Sequence, residues 1–318
     1  MLQINDLTVR LAPGQAARPI LDAVSLRVAQ GEAVGLVGES GSGKSVTCRA
    51  VLGLLPRQTA VSGRVLVDGQ DVLSQAAAGL RDLRRRRVAM IFQDPRASIN
   101  PVRRIGDFVT EGLRAGGLPH RQALDRAEEL LEAVGIENPR AALHRHPHEF
   151  SGGMLQRVMI AGALAAEPDL LLADEPTTAL DVTTQAEVIA ILSHLRTARG
   201  MGMLFVTHDL ELAAAICDRI YVMYAGRIVE EQATGDLFAR PRHPYTAGLL
   251  AATPRLESHD PPHGVPGRPL SLAESPEGCA FAARCHLAVE RCRQRRPALE
   301  TLEDAQVACL RAGEPVHD

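Results

Sequence analysis

The sequence predicts an α/β fold whose core is interrupted by a helical subdomain, and three observations carry this prediction. An apolar run at 33–37 leads into a glycine-rich loop, GESGSGKS. A second apolar run, at 170–173, ends in two adjacent carboxylates. Between these runs, residues from about 95 to 165 show helical periodicity, whereas strands and helices alternate again at 168–230. Helices are predicted at 46–55, 104–114, 121–134, 154–166 and 183–199.

The glycine-rich segment Gly38–Ser45, the phosphate loop, fits the pattern G-x-x-x-x-G-K-S. Its backbone N–H groups can surround phosphates, and the start of the following helix favours negative charge. Lys44 is expected to reach the β- and γ-phosphates of a nucleoside triphosphate, and the Ser45 hydroxyl to hold Mg²⁺. A glycine-rich turn with a stray lysine is the alternative, which the strand–loop–helix context disfavours. The expected nucleotide contacts here are Gly38, Glu39, Ser40, Gly41, Ser42, Gly43, Lys44, Ser45 and Val46.

The two carboxylates after the second apolar run are Asp174 and Glu175. A strand that delivers Asp174 to its carboxyl end can present it to Mg²⁺. Glu175, one residue further, is expected to polarise the attacking water. Adjacent acids can also be a solvated strand end, but a phosphate loop in the same chain favours the catalytic interpretation.

These motifs, in this order, resemble those of the ATP-binding cassette (ABC) ATPases. The resemblance implies a RecA-like P-loop core, an antiparallel β subdomain and a helical subdomain that carries the family signature, with ATP and Mg²⁺ bound. Gln93, in IFQDP, matches the Q-loop, which senses Mg²⁺ and contacts the membrane partner. His208, in VTHDL, matches the switch histidine, and Asp181 lies in ALD at 179–181, which matches the D-loop.

The signature of this family is matched by Ser151, Gly152 and Gly153. These residues open a predicted helix, so their hydroxyl and N–H groups can form an anion site. That site lies too far along the chain to complete the chain's own phosphate loop. Two ATPase subunits, identical or paralogous, are therefore expected to enclose two ATP molecules head to tail. Phe150 stands where many members carry Leu, and Met154 where many carry Gln. Met at the position of Met154 is frequent in the oligopeptide/dipeptide importer branch.

Two residues are candidates for packing on the adenine base. The family usually places an aromatic residue some way before the phosphate loop. The segment from Thr8 to Val28 contains no aromatic residue, so Leu11 and Ile20 are the two candidates.

Four of the six cysteines fall near the end of the chain in the pattern C-x5-C-x6-C-x16-C. Disulfides are disfavoured because an ATPase of this kind works in a reducing compartment. Zinc sites usually contain closely spaced cysteine pairs, whereas wider loops suit an iron–sulfur cluster. Spacing alone leaves cluster and zinc nearly level, and unligated thiols are a third alternative. The four residues are Cys279, Cys285, Cys292 and Cys309.

From Pro241 onward the composition shifts, which predicts an extended linker and a small C-terminal module. The expected domains are an ATPase domain at 1–240, with its helical subdomain at about 95–165, and an extension at 241–318. The segments HPYTAGLLAATPRL at 243–256 and GVPGRPL at 264–270, followed by the cysteines, resemble the extension of oligopeptide/dipeptide permease ATP-binding subunits. This resemblance implies a [4Fe–4S] cluster on the four cysteines, with a structural role.

Composition sets the remaining expectations. The chain of 318 residues is 46 % hydrophobic and 23 % charged, with a formal charge of −3, which argues against general nucleic-acid affinity. It contains no apolar run of about 18 residues or more, so no membrane-spanning segment is predicted. The start of the chain lacks the basic and apolar regions of a signal peptide.

The resemblance implies an ATPase subunit that energises import of di- and oligopeptides from the cytoplasmic face of the inner membrane. Its implied partners are two transmembrane permeases, a second ABC ATPase and, indirectly, an extracytoplasmic substrate-binding protein. Import of nickel, a metallophore or another small solute is the alternative. A non-transport ABC ATPase is disfavoured, because the chain has no long coiled-coil insertion and only one cassette.

Overall fold

The computed structural model describes residues 1–11, 18–178, 180–253, 264–275 and 277–313. The segment 243–256, which begins with His-Pro-Tyr, is called the HPY segment here. Four residues of predicted motifs lie outside the described ranges: Ala179 of the D-loop, and Pro254, Arg255 and Leu256 of the HPY segment. The strands are β1 (Leu2–Leu11), β2 (Arg18–Val28), β3 (Ala33–Val37), β4 (Thr59–Val67), β5 (Gln70–Asp71), β6 (Val88–Ile91), β7 (Leu170–Asp174), β8 (Gly202–Thr207), β9 (Arg219–Tyr224), β10 (Arg227–Ala233), β11 (Glu300–Leu302) and β12 (Ala305–Val307).

The helices are α1 (Lys44–Val51), α2 (Ala77–Arg86), α3 (Pro95–Ser98), α4 (Ile105–Ala115), α5 (His120–Ala133), α6 (Pro139–Ala142), α7 (Gly152–Leu164), α8 (Val182–Arg199), α9 (Leu210–Ile216), α10 (Thr234–Ala239), α11 (Pro244–Ala252) and α12 (Glu290–Gln294). Short 3-10 turns lie at Val72–Ser74, Pro147–Glu149 and Leu272–Glu274. None of the helices in the described ranges is long and apolar enough to cross a membrane.

The chain forms two compact units. The first consists of Met1, Val28–Glu32 and Ser74–Phe205, and the second of the described residues in 2–27, 33–73 and 206–318. In the first unit, α4, α5 and α7 pack on one another. Gly162 of α7 allows this approach, because a Cβ there would lie 2.6 Å from Cε1 of Phe108. Strands β6 and β7 of this unit pair in parallel.

The second unit contains two sets of strands. One has the order β2-β1-β4-β5, and its pairs β1–β4 and β4–β5 are antiparallel. The other runs β11-β12-β10-β9-β3, in which β3 and β9 are parallel and the remaining pairs are antiparallel. Strand β3 is buried along its whole length, and it ends where the phosphate loop begins.

Two elements differ from the sequence-based prediction. Helix α1 ends at Val51 rather than at residue 55, because Gly53 has φ +62° and the N–H groups of Gly53 and Leu54 bond back to the carbonyls of Ala50 and Arg49. Strands β9 and β10 lie within the region where strands were expected, and they form a hairpin because Ala225 and Gly226 both have positive φ.

The second difference lies in the segment predicted to be an extended linker. It contains α11, which begins at Pro244. Proline is well tolerated at the first position of a helix, where its missing N–H is not needed. Pro244 therefore starts a helix here, whereas the number of prolines in the segment had favoured extended chain.

Candidate functional site

The phosphate loop connects the buried strand β3 to α1 within the second unit. A Cβ on Gly38 would collide with the carbonyl oxygen of Met223, and one on Gly43, at φ +111°, would lie 2.5 Å from Cδ2 of Leu21. Only glycine fits at these two positions, so the loop can follow β9 closely.

Two polar side chains of the loop point to an anionic ligand. Lys44 is 4 % exposed, and its Nζ donates to the carbonyls of Gly38 (2.7 Å) and Glu39 (3.1 Å). The Ser42 hydroxyl is buried and has no hydrogen-bond partner. A buried unpaired hydroxyl is costly, and a phosphate oxygen is a group that can satisfy it. The residues present therefore fit a nucleotide phosphate.

The loop is also held from outside by residues that the sequence did not single out. The N–H of Glu39 donates to Oη of the fully buried Tyr245 (2.9 Å), in α11. The Glu39 carboxylate accepts two hydrogen bonds from Arg284. The only sequence signals for these residues were the HPY triplet and an arginine beside Cys285.

In the first unit, Asp174 ends β7 and is 3 % exposed, as the sequence predicted for a strand end. Glu175 follows it at φ +48°, a left-handed conformation that is strained for a non-glycine residue. Its Oε2 accepts hydrogen bonds from Gln93 Nε2 and Thr178 Oγ1, both at 2.9 Å. The structure thus brings Gln93 and Glu175 together, and Thr178 is a further partner that the sequence had not indicated. His208, in the second unit, directly follows β8 and is exposed.

The signature residues form a helix start in the first unit. Ser151 is the N-cap of α7, and its Oγ accepts from the N–H of Met154 at 3.2 Å. Gly153 is packed closely, because a Cβ there would lie 2.6 Å from Cγ2 of Thr184. Asp181 caps α8 by accepting from the backbone and side chain of Thr184 (3.0 and 2.7 Å), and the backbone hydrogen bond lowers the pKa of Asp181.

The two candidates for adenine packing differ in exposure. Leu11, at the end of β1, is 41 % exposed. Ile20, on β2, is partly buried, and its carbonyl oxygen lies 3.5 Å from where a Cβ on Gly43 would stand. The packing of either residue on adenine stays a prediction.

The four C-terminal cysteines line one cavity in the second unit, together with Phe281 and Leu287. A backbone hydrogen bond joins two of these cysteines: the N–H of Cys279 donates to the carbonyl of Cys292 at 2.7 Å. Burial raises the pKa of Cys279 to about 11, and it also raises the pKa of Cys285 and Cys309. Among the described residues, no three His, Cys, Asp or Glu side chains are arranged as a group that could hold a single metal ion, so the common cavity is the one observation that relates the four cysteines to the expected cluster. Cys48 and Cys217 are buried.

Comparison with known proteins agrees with this geometry. Residues 21–178 match a family model described as ABC transporter, and residues 229–292 match one described as oligopeptide/dipeptide transporter, C-terminal region. The chain is 44 % identical to the probable peptide ABC transporter ATP-binding protein y4tR of Sinorhizobium fredii, over 100 % of this chain and 96 % of that protein. It is 41 % identical to the oligopeptide transport ATP-binding protein OppD of Salmonella typhimurium, over 98 % of this chain and 93 % of that one.

A solved structure supports the fold. The dimeric ATP-binding cassette MJ0796 in a post-hydrolysis state, bound to ADP and Pi, is similar with a TM-score of 0.67 and 28 % identity. The match covers 74 % of this chain and 99 % of that one. The predicted cassette fold, with mixed sheets and helices, is therefore confirmed.

Proposed function

This chain belongs to the ABC transporter family as an ATP-hydrolysing cassette, and we propose that it energises the import of di- and oligopeptides. The observation that carries the peptide assignment is the match of residues 229–292 to the C-terminal region of oligopeptide/dipeptide transporters. Relatives similar over nearly the whole chain carry peptide-transport names. The proposed division is an ATPase domain at 1–240 and an extension at 241–318.

The local structure of the HPY segment supports a specific role for the extension. Glu230 is fully buried and accepts the N–H groups of Arg242 (2.6 Å) and His243 (3.0 Å). The His243 Nδ1 accepts from the N–H of Tyr245 (3.0 Å), which caps α11. These bonds hold the Tyr245 hydroxyl against Glu39 of the phosphate loop. The segment that marks the peptide-transporter group therefore has a direct contact with the loop proposed to bind ATP.

We assign the binding roles residue by residue. The phosphate loop residues Gly38–Ser45 and Val46 bind ATP, with Lys44 moving from the loop carbonyls to the β- and γ-phosphates. Ser45, Gln93 and Asp174 are the residues that would hold Mg²⁺, which would supply neutralising charge to the phosphates. An oxygen donor set of this kind suits a hard divalent cation.

The catalytic roles follow from charge and hydrogen bonding. Glu175 accepts a proton from the attacking water, and Gln93 and His208 hold the water and the γ-phosphate in line. The Glu175 carboxylate is fixed in direction by the left-handed backbone of this residue and by the hydrogen bonds that Gln93 and Thr178 donate to it. A fixed carboxylate lowers the entropy cost of positioning the water.

The remaining residues act on the nucleotide of a second ATPase, either another copy or a paralogue. Ser151, Gly152 and Gly153 contribute a helix start to the partner's γ-phosphate, and Asp181 belongs to the same contact region. The complex includes two transmembrane permeases and, indirectly, an extracytoplasmic substrate-binding protein, and the chain is peripheral at the cytoplasmic face of the inner membrane. Closure and reopening of the ATPase pair drive the permeases between access states.

Residues 279–309 carry the four C-terminal cysteines and are called the cysteine module here. For this module we propose a [4Fe–4S] cluster. All four cysteines line one cavity, and four thiolates are the usual ligands of such a cluster. Burial raises the pKa of the Cys279, Cys285 and Cys309 thiols, which favours their protonated form when no metal is bound. Binding of a cluster would therefore be coupled to loss of protons from these three thiols. A structural zinc ion and unligated thiols are the alternatives.

The function is tested with the assembled complex in lipid vesicles. ATP hydrolysis is measured with the binding protein and a series of substrates: dipeptides, longer peptides and a nickel chelate. Stimulation by peptides and not by nickel supports the proposal. Stimulation by nickel alone would replace the substrate class while leaving the ATPase assignment intact, and the Glu175→Gln complex serves as the hydrolysis-deficient control.

A further inference from the structure

Arg284 of the cysteine module forms an ion pair with Glu39, the second residue of the phosphate loop. Its two terminal nitrogens donate to the two carboxylate oxygens, Nη1 to Oε2 at 2.6 Å and Nη2 to Oε1 at 2.9 Å. The side chain of Arg284 is 4 % exposed and that of Glu39 is 22 % exposed. From this pair we propose that Arg284 is a positioning residue for ATP binding. The inference rests on the proposed assignment of the phosphate loop to ATP.

Arg284 is itself held rigidly. Its Nε donates to the carbonyl of Pro266 (2.6 Å) and its Nη2 to the carbonyl of Val265 (3.2 Å). Its own N–H bonds to the carbonyl of Phe281 at 2.9 Å. A planar guanidinium with two parallel bonds to a carboxylate specifies direction as well as charge. The guanidinium group of Arg284 is therefore held in a fixed direction against the phosphate loop.

A cluster of aromatic rings lies beside the guanidinium group of Arg284. The rings of Tyr224, Tyr245 and Phe281 lie 4.7–5.4 Å apart between centroids. The guanidinium carbon of Arg284 lies 5.7 Å from the Tyr224 ring centroid and 5.8 Å from that of Phe281. Rings at these distances attract a cation and exclude water. Because the Arg284 side chain is almost fully buried and that of Glu39 is largely buried, the ion pair is screened less than a surface pair.

The extension holds Glu39 by its backbone and by its side chain. Tyr245 accepts the backbone N–H of Glu39, and Arg284 binds its carboxylate. The carbonyl of Glu39 in turn accepts from Lys44 Nζ at 3.1 Å. A shift of Glu39 would therefore also move the lysine that is proposed to reach the phosphates.

Charge gives a second reason for the pair to matter. ATP brings several negative charges to the phosphate loop, and an unpaired Glu39 carboxylate would repel them. Arg284 cancels this charge and keeps the carboxylate turned toward the extension. Removing the arginine should consequently weaken ATP binding, and removing the Glu39 charge as well should restore part of it.

The test measures the dissociation constant of Mg-ATP for the full chain by titration calorimetry. Arg284→Met is expected to weaken binding about tenfold, which corresponds to about 1.4 kcal/mol. The double variant Arg284→Met with Glu39→Gln is expected to recover at least half of that loss on a logarithmic scale. Arg268→Met is the matched control, because Arg268 pairs with Glu274 at an exposed position of the same extension, and it should bind as the wild type does.

The double variant distinguishes an effect of Arg284 on the Glu39 carboxylate from an effect of Arg284 on packing alone. A purely structural role for Arg284 predicts no recovery in the double variant, and that result would overturn the proposal. Wild-type affinity in Arg284→Met would overturn it as well. If Arg284→Met does not fold, Arg284→Lys carries the test. It keeps the charge and loses the fork, so binding should weaken about threefold, and unchanged binding again overturns the proposal.

Failure of this inference is distinguishable from failure of the ATP-site assignment. Lys44→Ala is measured in parallel and is expected to abolish detectable binding. If Lys44→Ala binds ATP normally, the assignment of the loop is wrong and Arg284 has no nucleotide to position. If Lys44→Ala loses binding and Arg284→Met does not, the loop assignment stands and only the role of Arg284 is lost. Iron content is recorded for each variant, because Arg284 directly precedes Cys285.

Discussion

Gln93 Nε2 lies 2.9 Å from Glu175 Oε2, and Thr178 Oγ1 donates to the same oxygen at 2.9 Å. The two hydrogen bonds fix the direction of the Glu175 carboxylate. Both donors come from turns next to buried strands, since Gln93 follows β6 and Thr178 follows β7. The site therefore depends on the parallel pairing of β6 with β7.

Glu175→Gln tests the role of this carboxylate. The amide keeps the size of the side chain but accepts no proton, so we expect hydrolysis by the assembled complex to fall by about 10²–10⁴. ATP binding should survive, because the phosphate loop is untouched. Phosphate release and ATP affinity are the two measurements, and Glu129→Gln, on the exposed face of α5, is the control. Near-normal hydrolysis in Glu175→Gln would rule out its assigned role.

Ser151 has two separable roles, a helix cap and a proposed contact to the partner's nucleotide. Ser151→Ala removes both, so stability should fall by about 1 kcal/mol and ATP-dependent dimerisation should be lost. Ser151→Asp keeps the cap, because Asp caps helices as well as Ser does, but it brings a negative charge to the γ-phosphate. We expect it to retain stability and still fail to dimerise, as measured by size-exclusion chromatography with ATP in the Glu175→Gln background. Dimers of normal yield in Ser151→Asp would contradict the nucleotide contact.

Neighbouring glycines of α7 should respond differently to the same change. In Gly153→Ala the new methyl would lie 2.6 Å from Thr184 Cγ2, whereas at Gly152 no atom lies within 4 Å of the new methyl. We expect Gly153→Ala to lose about 1–3 kcal/mol and Gly152→Ala to be neutral or slightly stabilising. Thermal unfolding separates them, at about 2–4 °C per kcal/mol. Equal melting temperatures would show that α7 is not packed closely on Thr184.

His243 should make stability depend on pH. Burial lowers its pKa to about 4 from an ordinary value of 6.5. The unfolded chain therefore binds the proton more tightly, and the contribution of neutral His243 is present above pH 6.5 and is lost as pH falls toward 4. The full loss is up to about 3 kcal/mol. Burial raises the pKa of Glu230, which contacts His243, and this acts in the opposite direction.

The comparison that isolates His243 uses His243→Asn. Asparagine can cap α11 without titrating, and Glu230 is the same in both proteins. Urea unfolding at pH 7, 6 and 5 should show that the wild type loses more stability than the variant as pH falls. Parallel pH profiles for the two proteins would contradict the buried, neutral histidine.

The cysteine module is tested by composition. After anaerobic purification we expect about four irons and four acid-labile sulfides per chain, and Cys285→Ser should lose them. Cys48→Ser is the control, because Cys48 lies in α1 and should have no effect on iron content. One zinc without sulfide would replace the cluster with a plain structural site, and no metal would leave the four thiols unligated.

Local patterns predicted much of this protein. The helices at 105–115, 120–133 and 182–199 were expected within one or two residues, because amphipathic periodicity is a property of contiguous sequence. The phosphate loop and the strand that ends at Asp174 were recognisable for the same reason. Ser151 was placed at a helix start, whereas the sequence did not indicate that Asp181 also caps a helix with its side chain.

Tertiary structure decided what contiguous sequence does not encode. The start of α11 depended on the buried Glu230 of β10, which accepts the N–H groups of Arg242 and His243 just before the helix. Arg284 and Glu39 are 245 residues apart in the chain, so no periodicity links them. The sequence by itself determined the chemistry of the loop and of the carboxylates, since these need particular side chains at short spacing. Only folding brought Arg284, Tyr245 and Glu39 together, because such contacts depend on how distant segments pack.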